Sequence, residues 1–251
     1  RGERRPPSAE ELEGMKELVD RAMREGAWGM STGLIYPPGS YAQTDELIAL
    51  AKVVASRGGI YVSHMRDEGA RLLEAVAEAI RIGRESGAAV HISHFKSMQI
   101  PNWGLVRKAA GLIGDARSGG LKITADQYPY TANSFALTDA LLPEAEIRWC
   151  KRAEIAGRMA ADPEFAALVR RVIADQFGRT EKIVIAASKK FPAYVGKSLK
   201  DIAAGEGVDV ADLVLKIIAE EAPQIVSHSM SEEDVRWAMA LPWVATASDG
   251  A

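Results

Sequence analysis

Two patterns of apolar positions alternate along this chain. Strand-length runs rich in apolar residues occur at Ile60-Tyr61-Val62-Ser63-His64, Val90-His91-Ile92-Ser93-His94 and Leu121-Lys122-Ile123-Thr124-Ala125-Asp126. Between them apolar residues return every three or four positions, the period of a helix with one buried face. Leu47, Leu50, Ala51 and Val54 form one such face, and Leu72, Leu73, Val76 and Ile80 form the next. A further helix is predicted from about Trp103 to Ala116. Before all of these, Ser8-Ala9-Glu10-Glu11 is a capping-box pattern, followed at helical spacing by Leu12, Met15, Val19, Ala22 and Met23. Thr44 is placed to cap the second helix, while Gly26, Gly58-Gly59 and Gly87 mark helix ends. Ala27–Gly33 reads as the first strand and its exit, and Leu34–Ser40 as a Pro/Gly-rich loop.

The predicted strand ends Ser31, His64, His94 and Asp126 are 33, 30 and 32 residues apart. That is a repeated strand–helix unit, which predicts an α/β fold with parallel strands. After Asp126 the rhythm breaks. Gln127–Ser134 reads as a polar, aromatic loop, and Leu141–Ala222 as mostly helical around one strand, Lys182–Ala187. One of those helices is expected from Asp209, carrying Leu213, Leu215, Ile217 and Ile218. Gln224–His228 is a further strand candidate, Ser231 caps another helix, and Trp243–Asp249 reads as a last strand. We therefore expect strand–helix units over residues 1–134, a mainly helical insertion over 135–222, and a final helix and strand over 223–251. The chain opens directly on a helix pattern and stops after a strand-like run with no covering helix, so we expect a segment of a longer protein.

The 251 residues carry a formal charge of −3 and are 47% hydrophobic, so charge gives no support to a nucleic-acid partner. No long uncharged apolar run supports a membrane span. The one cysteine, Cys150, excludes an internal disulfide, fits packing in a helix, and favours a cytoplasmic location. No Gly-rich phosphate loop and no Gly-x-Ser-x-Gly elbow is present.

Two of the runs that end in Ser-His carry a cation two places on: His64 with Arg66, and His94 with Lys96. Histidines at the C-terminal ends of neighbouring parallel strands face the same mouth, where ligands bind in such folds. Paired imidazoles and a strand-end carboxylate are ingredients of a hydrolytic zinc site, in which bound water becomes a nucleophile. Asp249 is placed for general acid/base work. His91, three positions from His94, is expected to be structural, and His228 lies outside the regular spacing.

Five ordered motifs then carry a family resemblance: Ser31-Thr32-Gly33-Leu34-Ile35-Tyr36-Pro37-Pro38, Ser63-His64-Met65-Arg66-Asp67-Glu68, Ile92-Ser93-His94-Phe95-Lys96, Asp126-Gln127-Tyr128-Pro129-Tyr130 and Ser248-Asp249-Gly250. Together they resemble the D-aminoacylase (N-acyl-D-amino-acid deacylase) branch of the metal-dependent amidohydrolases. The resemblance implies a zinc-dependent (β/α)8 TIM-type barrel that hydrolyses the amide of N-acyl-D-amino acids to a carboxylate and a D-amino acid. It implies His64, His94 and Asp249 at the metal, with Asp249 as the catalytic acid/base. It implies substrate contacts from Tyr36, Arg66, Lys96, Tyr128 and Ser134. On the same basis the chain supplies roughly the last five barrel strands, with an insertion before the final strand. The family's His-x-His strand, its metal-binding Cys and its C-terminal β-domain have no counterpart here, so the 251 residues alone are expected to be inactive. The alternatives are a cyclic amidase of the dihydroorotase or hydantoinase type, against which the lack of a strand-end lysine at Ser31 argues, and a non-catalytic barrel relative.

Overall fold

In a computed structural model, which describes residues 5–142, 147 and 152–250, the chain divides into two compact units. The first comprises residues 1–98, 102–129 and 231–251, and the second comprises 99–101 and 130–230. Cys150 lies outside the described residues.

The first unit is built on a parallel sheet of β1 (Gly29–Gly33), β2 (Ile60–His64), β3 (Ala89–Ile92), β4 (Ile123–Gln127) and β8 (Val244–Thr246), hydrogen-bonded in the order β1-β2-β3-β4-β8. Among the described residues this sheet is open and does not close on itself. Its helices are α1 (Ala9–Arg24), α2 (Thr44–Ser56), α3 (Leu72–Ser86), α4 (Leu105–Ser118) and, before β8, α10 (Glu232–Met239). Alternation sets one face of each strand against them: Tyr61, Val90, Ile92, Ile123 and Ala125 are buried in one cluster with Leu47, Val76 and Ile113. The opposite face carries His91, Thr124 and Asp126.

Local signals explain most boundaries. Ser8 and Glu11 complete the capping box at the start of α1. Along α1, Leu12, Met15, Val19 and Met23 are half-buried and Ala22 is exposed. Gly87 takes a left-handed φ of 78° and ends α3, a conformation that would strain a residue with a Cβ. On α3 itself a Cβ at Gly83 would stand 2.6 Å from Val90 Cγ2, so glycine is what lets the helix approach β3 this closely. Thr44 is not the cap of α2. Gln43 occupies that position, and the Thr44 hydroxyl donates instead to Glu78 Oε1 at 2.8 Å.

The second unit has a three-stranded antiparallel sheet, β5 (Ala132–Ala136), β7 (Gln224–His228) and β6 (Lys182–Ala187), in the order β5-β7-β6. It is accompanied by α5 (Leu137–Leu141), α6 (Arg152–Ala161), α7 (Pro163–Gly178), α8 (Leu199–Glu206) and α9 (Val210–Glu220), and it has its own core around Ile183, Ile185, Leu213, Ile217 and Ile225. The loop expected over Gln127–Ser134 is thus shorter than expected, because β5 begins at Ala132. Asn133 and Ser134 have low strand propensity; pairing with β7, whose Ile225 and Ser227 are buried, imposes the extended form. Asp209 caps α9 as expected, its carboxylate accepting from Ala211 N–H at 2.7 Å.

Candidate metal centre

The first unit gathers several of the predicted site residues past the C-terminal ends of its strands. His64 is the last residue of β2, and His94 stands two residues beyond β3. Their rings meet edge to face with centroids 4.3 Å apart. Glu68, in the loop after β2, joins them: one ligand atom from each of His64, Glu68 and His94 lies within 4.8 Å of the others.

Electrostatics keep this cluster ready for a cation. Burial is the largest influence on His64 and lowers its pKa to about 4, against an opposing pull from Glu68. The imidazole is therefore neutral at pH 7, and its buried Nε2 has no hydrogen-bond partner among the described residues. Burial alone would raise the Glu68 pKa, but the charge of Lys96, then His94, outweighs it and holds the carboxyl well below the usual carboxylate range. Glu68 Oε2 accepts from Lys96 Nζ at 2.7 Å, and Oε1 stands 2.6 Å from His94 Nδ1. His94 Nδ1 also accepts from the Lys96 ammonium, with Nζ at 2.9 Å, so Lys96 is bonded to both His94 and Glu68.

The His64 shift carries an expected pH dependence. A folded pKa near 4 against 6.5 for the free side chain means that the unfolded chain binds the proton first. In metal-stripped protein, the His64 contribution to stability is complete above about pH 6.5 and is lost as pH falls towards 4. Urea midpoints across that range, compared with His64→Gln, check it: the variant shows a shallower acid loss.

Both predicted cations are committed within the protein. Arg66 donates through Nε and Nη2 to the two oxygens of Glu78, each at 2.9 Å, through Nη1 to Ser40 O at 3.1 Å and through Nη2 to Ala42 O at 3.0 Å. It thereby ties the loop after β1 to α3. That loop carries Tyr36, whose ring centroid is 5.0 Å from that of His64. Lys96, only 4% exposed, donates to Glu68 and to His94 O at 3.0 Å, and its Nζ lies 5.3 Å from the Tyr128 ring centroid. The Tyr128 ring is buried, 6.5 Å from that of His94, and burial, then Glu68 and Asp249, push its pKa up.

Asp249 lies three residues past β8, exposed, with a left-handed φ of 49°, and is not a member of the His64–Glu68–His94 cluster. Ser134 is on β5 of the second unit, donating to Ile225 O and accepting from Gln224 Nε2, both at 2.9 Å. His228 ends β7 in that same unit. His91 is held inside the parallel sheet, with Nε2 2.8 Å from Asp126 Oδ2 and Nδ1 2.8 Å from Thr124 Oγ1.

No family model matches the chain. Relatives do. The chain is 33% identical over 246 residues to D-aminoacylase of Alcaligenes xylosoxydans xylosoxydans, covering 98% of this chain and 43% of that protein. N-acyl-D-glutamate deacylase of the same organism is 33% identical over 92% of this chain and 39% of its own length. Among solved structures, N-acyl-D-glutamate deacylase from Bordetella bronchiseptica, complexed with zinc and a phosphonate mimic of the tetrahedral intermediate, superposes with a TM-score of 0.76 at 32% identity, over 98% of this chain and 44% of that one. The chain belongs to the D-aminoacylase family. A crystal structure of D-aminoacylase itself superposes at a TM-score of 0.73 and 30% identity, again over 98% and 44% of the two chains. The α/β fold with a parallel sheet is therefore shared with amidohydrolase structures, and the chain spans about two fifths of the length of the curated relatives it matches.

Within this D-aminoacylase-family chain, the residue that sequence reasoning passed over is Glu68. Its only sequence signal is its place four residues after His64, in the Ser-His-Met-Arg-Asp-Glu run. Nothing in the pattern announces that this carboxylate is 3% exposed between a histidine and a lysine.

Proposed function

We propose that the protein carrying this chain is a metal-dependent deacylase of N-acyl-D-amino acids, built on a (β/α)8 barrel of which these five parallel strands are a part. The observation that carries the reading is the pair of edge-to-face imidazoles of His64, half-buried, and His94, buried, beside Glu68, in a chain one-third identical to D-aminoacylase. Imidazole nitrogens and a carboxylate suit a borderline-soft divalent ion such as zinc. An orphaned buried nitrogen on His64 is what a ligand awaiting its metal leaves behind.

His64 and His94 would hold the ion, with Asp249 as the further protein ligand that also moves the proton. Bound zinc supplies an acidified water and polarises a carbonyl. The chain's own residues do the rest. Glu68 and Lys96 fix the His94 ring, and Lys96 adds positive charge on the side of the site where Tyr128 lies. Tyr36 flanks His64, held there by the Arg66–Glu78 tie, so Arg66 serves the substrate through the loop it orders. Asp249 accepts a proton in the attack and delivers it to the leaving amine. A small N-acyl amino acid is the proposed substrate, and the lone Cys150 supports a cytoplasmic setting.

The test is release of free amino acid from N-acetyl-D- and N-acetyl-L-amino acids by the complete polypeptide that carries this sequence. Turnover of the D series with little of the L series is expected. Turnover of neither series contradicts the reading.

A further inference from the structure

The Thr124–His91–Asp126 chain takes no part in the function proposed above, yet it ends at the backbone of a predicted metal ligand. His94 has a φ of 40°, a left-handed conformation that a residue with a Cβ adopts only under constraint. Asp126 supplies the constraint twice. Its Oδ1 accepts from the His94 backbone N–H at 2.7 Å, and its own carbonyl accepts from the Phe95 N–H at 2.8 Å. The other carboxylate oxygen is occupied by His91 Nε2, and the far side of that ring by the Thr124 hydroxyl. Phe95 is fully buried, which anchors the turn from its other end.

We infer that Asp126, oriented by His91, is a positioning residue that holds the His94 backbone in its left-handed turn and so keeps the His94 ring against His64 and Glu68. The direction of the Cα–Cβ bond follows φ. Relaxing φ to the ordinary negative range swings the imidazole away from His64, 4.3 Å from it, and from Glu68, 2.6 Å from its Nδ1. Three consecutive bonds from β3 and β4 side chains thus set a ligand that neither strand carries within its own span. The consequence for metal affinity rests on the function proposed above; the backbone consequence does not.

The experiment takes the complete polypeptide, stripped of metal, and titrates it with Co(II), following the visible d–d bands. In parallel, hydrogen exchange of the His94 amide is followed by NMR with no metal present. Asp126→Ala is expected to weaken Co(II) binding by about 10- to 100-fold and alter its bands, as loss of an outer partner of a ligand does. Asp126→Asn keeps the Oδ1 acceptor and is expected to rescue affinity to within a few-fold of wild type. The His94 amide is expected to exchange at least roughly tenfold faster in Asp126→Ala, because its buried acceptor is gone. Should Asp126→Ala lose its circular dichroism signature, His91→Ala takes its place, with a several-fold loss of affinity expected. Wild-type Co(II) affinity and bands in the folded alanine variant, or unchanged His94 exchange, overturn the inference. If the wild type binds no Co(II), the metal reading fails by itself and the exchange rates still decide the positioning role.

Discussion

If the protein is the proposed deacylase, replacing Asp249 by Asn is expected to lower kcat for N-acyl-D-amino acid hydrolysis by about 10³-fold with metal still bound. The carboxylate sits beyond β8 in a left-handed turn, exposed, and near enough for its charge to help raise the Tyr128 pKa. A general acid/base is worth about 10²- to 10⁴-fold, and an amide in its place keeps the shape but cannot take up a proton at neutral pH. Steady-state kinetics and metal content, measured on the same preparation, separate the two roles assigned to Asp249. A fall in kcat at unchanged metal content is the expected result. Unchanged kcat assigns the proton to another group.

The largest expected effect on stability is at Lys96. Lys96→Met removes the cation paired with Glu68, when both side chains are 3% exposed. The carboxylate is then buried without its main partner, and breaking such a pair from one side costs about 3–5 kcal/mol. Most of that is the penalty on the group left behind, so removing the charge as well relieves it. The double variant Glu68→Gln/Lys96→Met is accordingly expected to lie well above the single variant in urea denaturation. Equal midpoints for the single and double variants contradict a buried, energetically coupled pair. This distinguishes Lys96 from exposed pairs such as Arg81–Glu85, which contribute about 0–1 kcal/mol.

The first unit was legible because its signals are local and periodic. Strands β2 and β3 are short runs of β-branched and aromatic residues, helices α2 and α3 have one apolar face each, and Gly87 marks a turn only glycine makes cheaply. The parallel order of β1 to β4 follows from the even spacing of those units. What escaped was decided by partners distant in sequence. Ala132–Ala136 becomes a strand because β7 offers it a ladder, and Thr44 gives up the cap because Glu78, 34 residues away, takes its hydroxyl. His64 and His94 were readable from their repeated Ser-His endings. The commitments of Arg66 to Glu78 and of Lys96 to Glu68 were not, since a charge in a motif says nothing about which carboxylate it will meet. His91 lies three positions from His94 in sequence, and its bonds to Asp126 and Thr124 form only because β3 and β4 pair.

The central claim is that the imidazoles of His64 and His94 hold a metal on which D-acyl hydrolysis depends. Its most direct test is to strip the complete polypeptide with chelator, restore zinc stepwise, and record bound metal and N-acetyl-D-amino acid hydrolysis together, alongside His64→Ala. Activity is expected to disappear with the metal and return in proportion to it, and the variant to bind zinc at least about tenfold more weakly with a matching loss of rate. Full hydrolysis without metal, or a His64→Ala protein that binds zinc and turns over like the wild type, contradicts the claim.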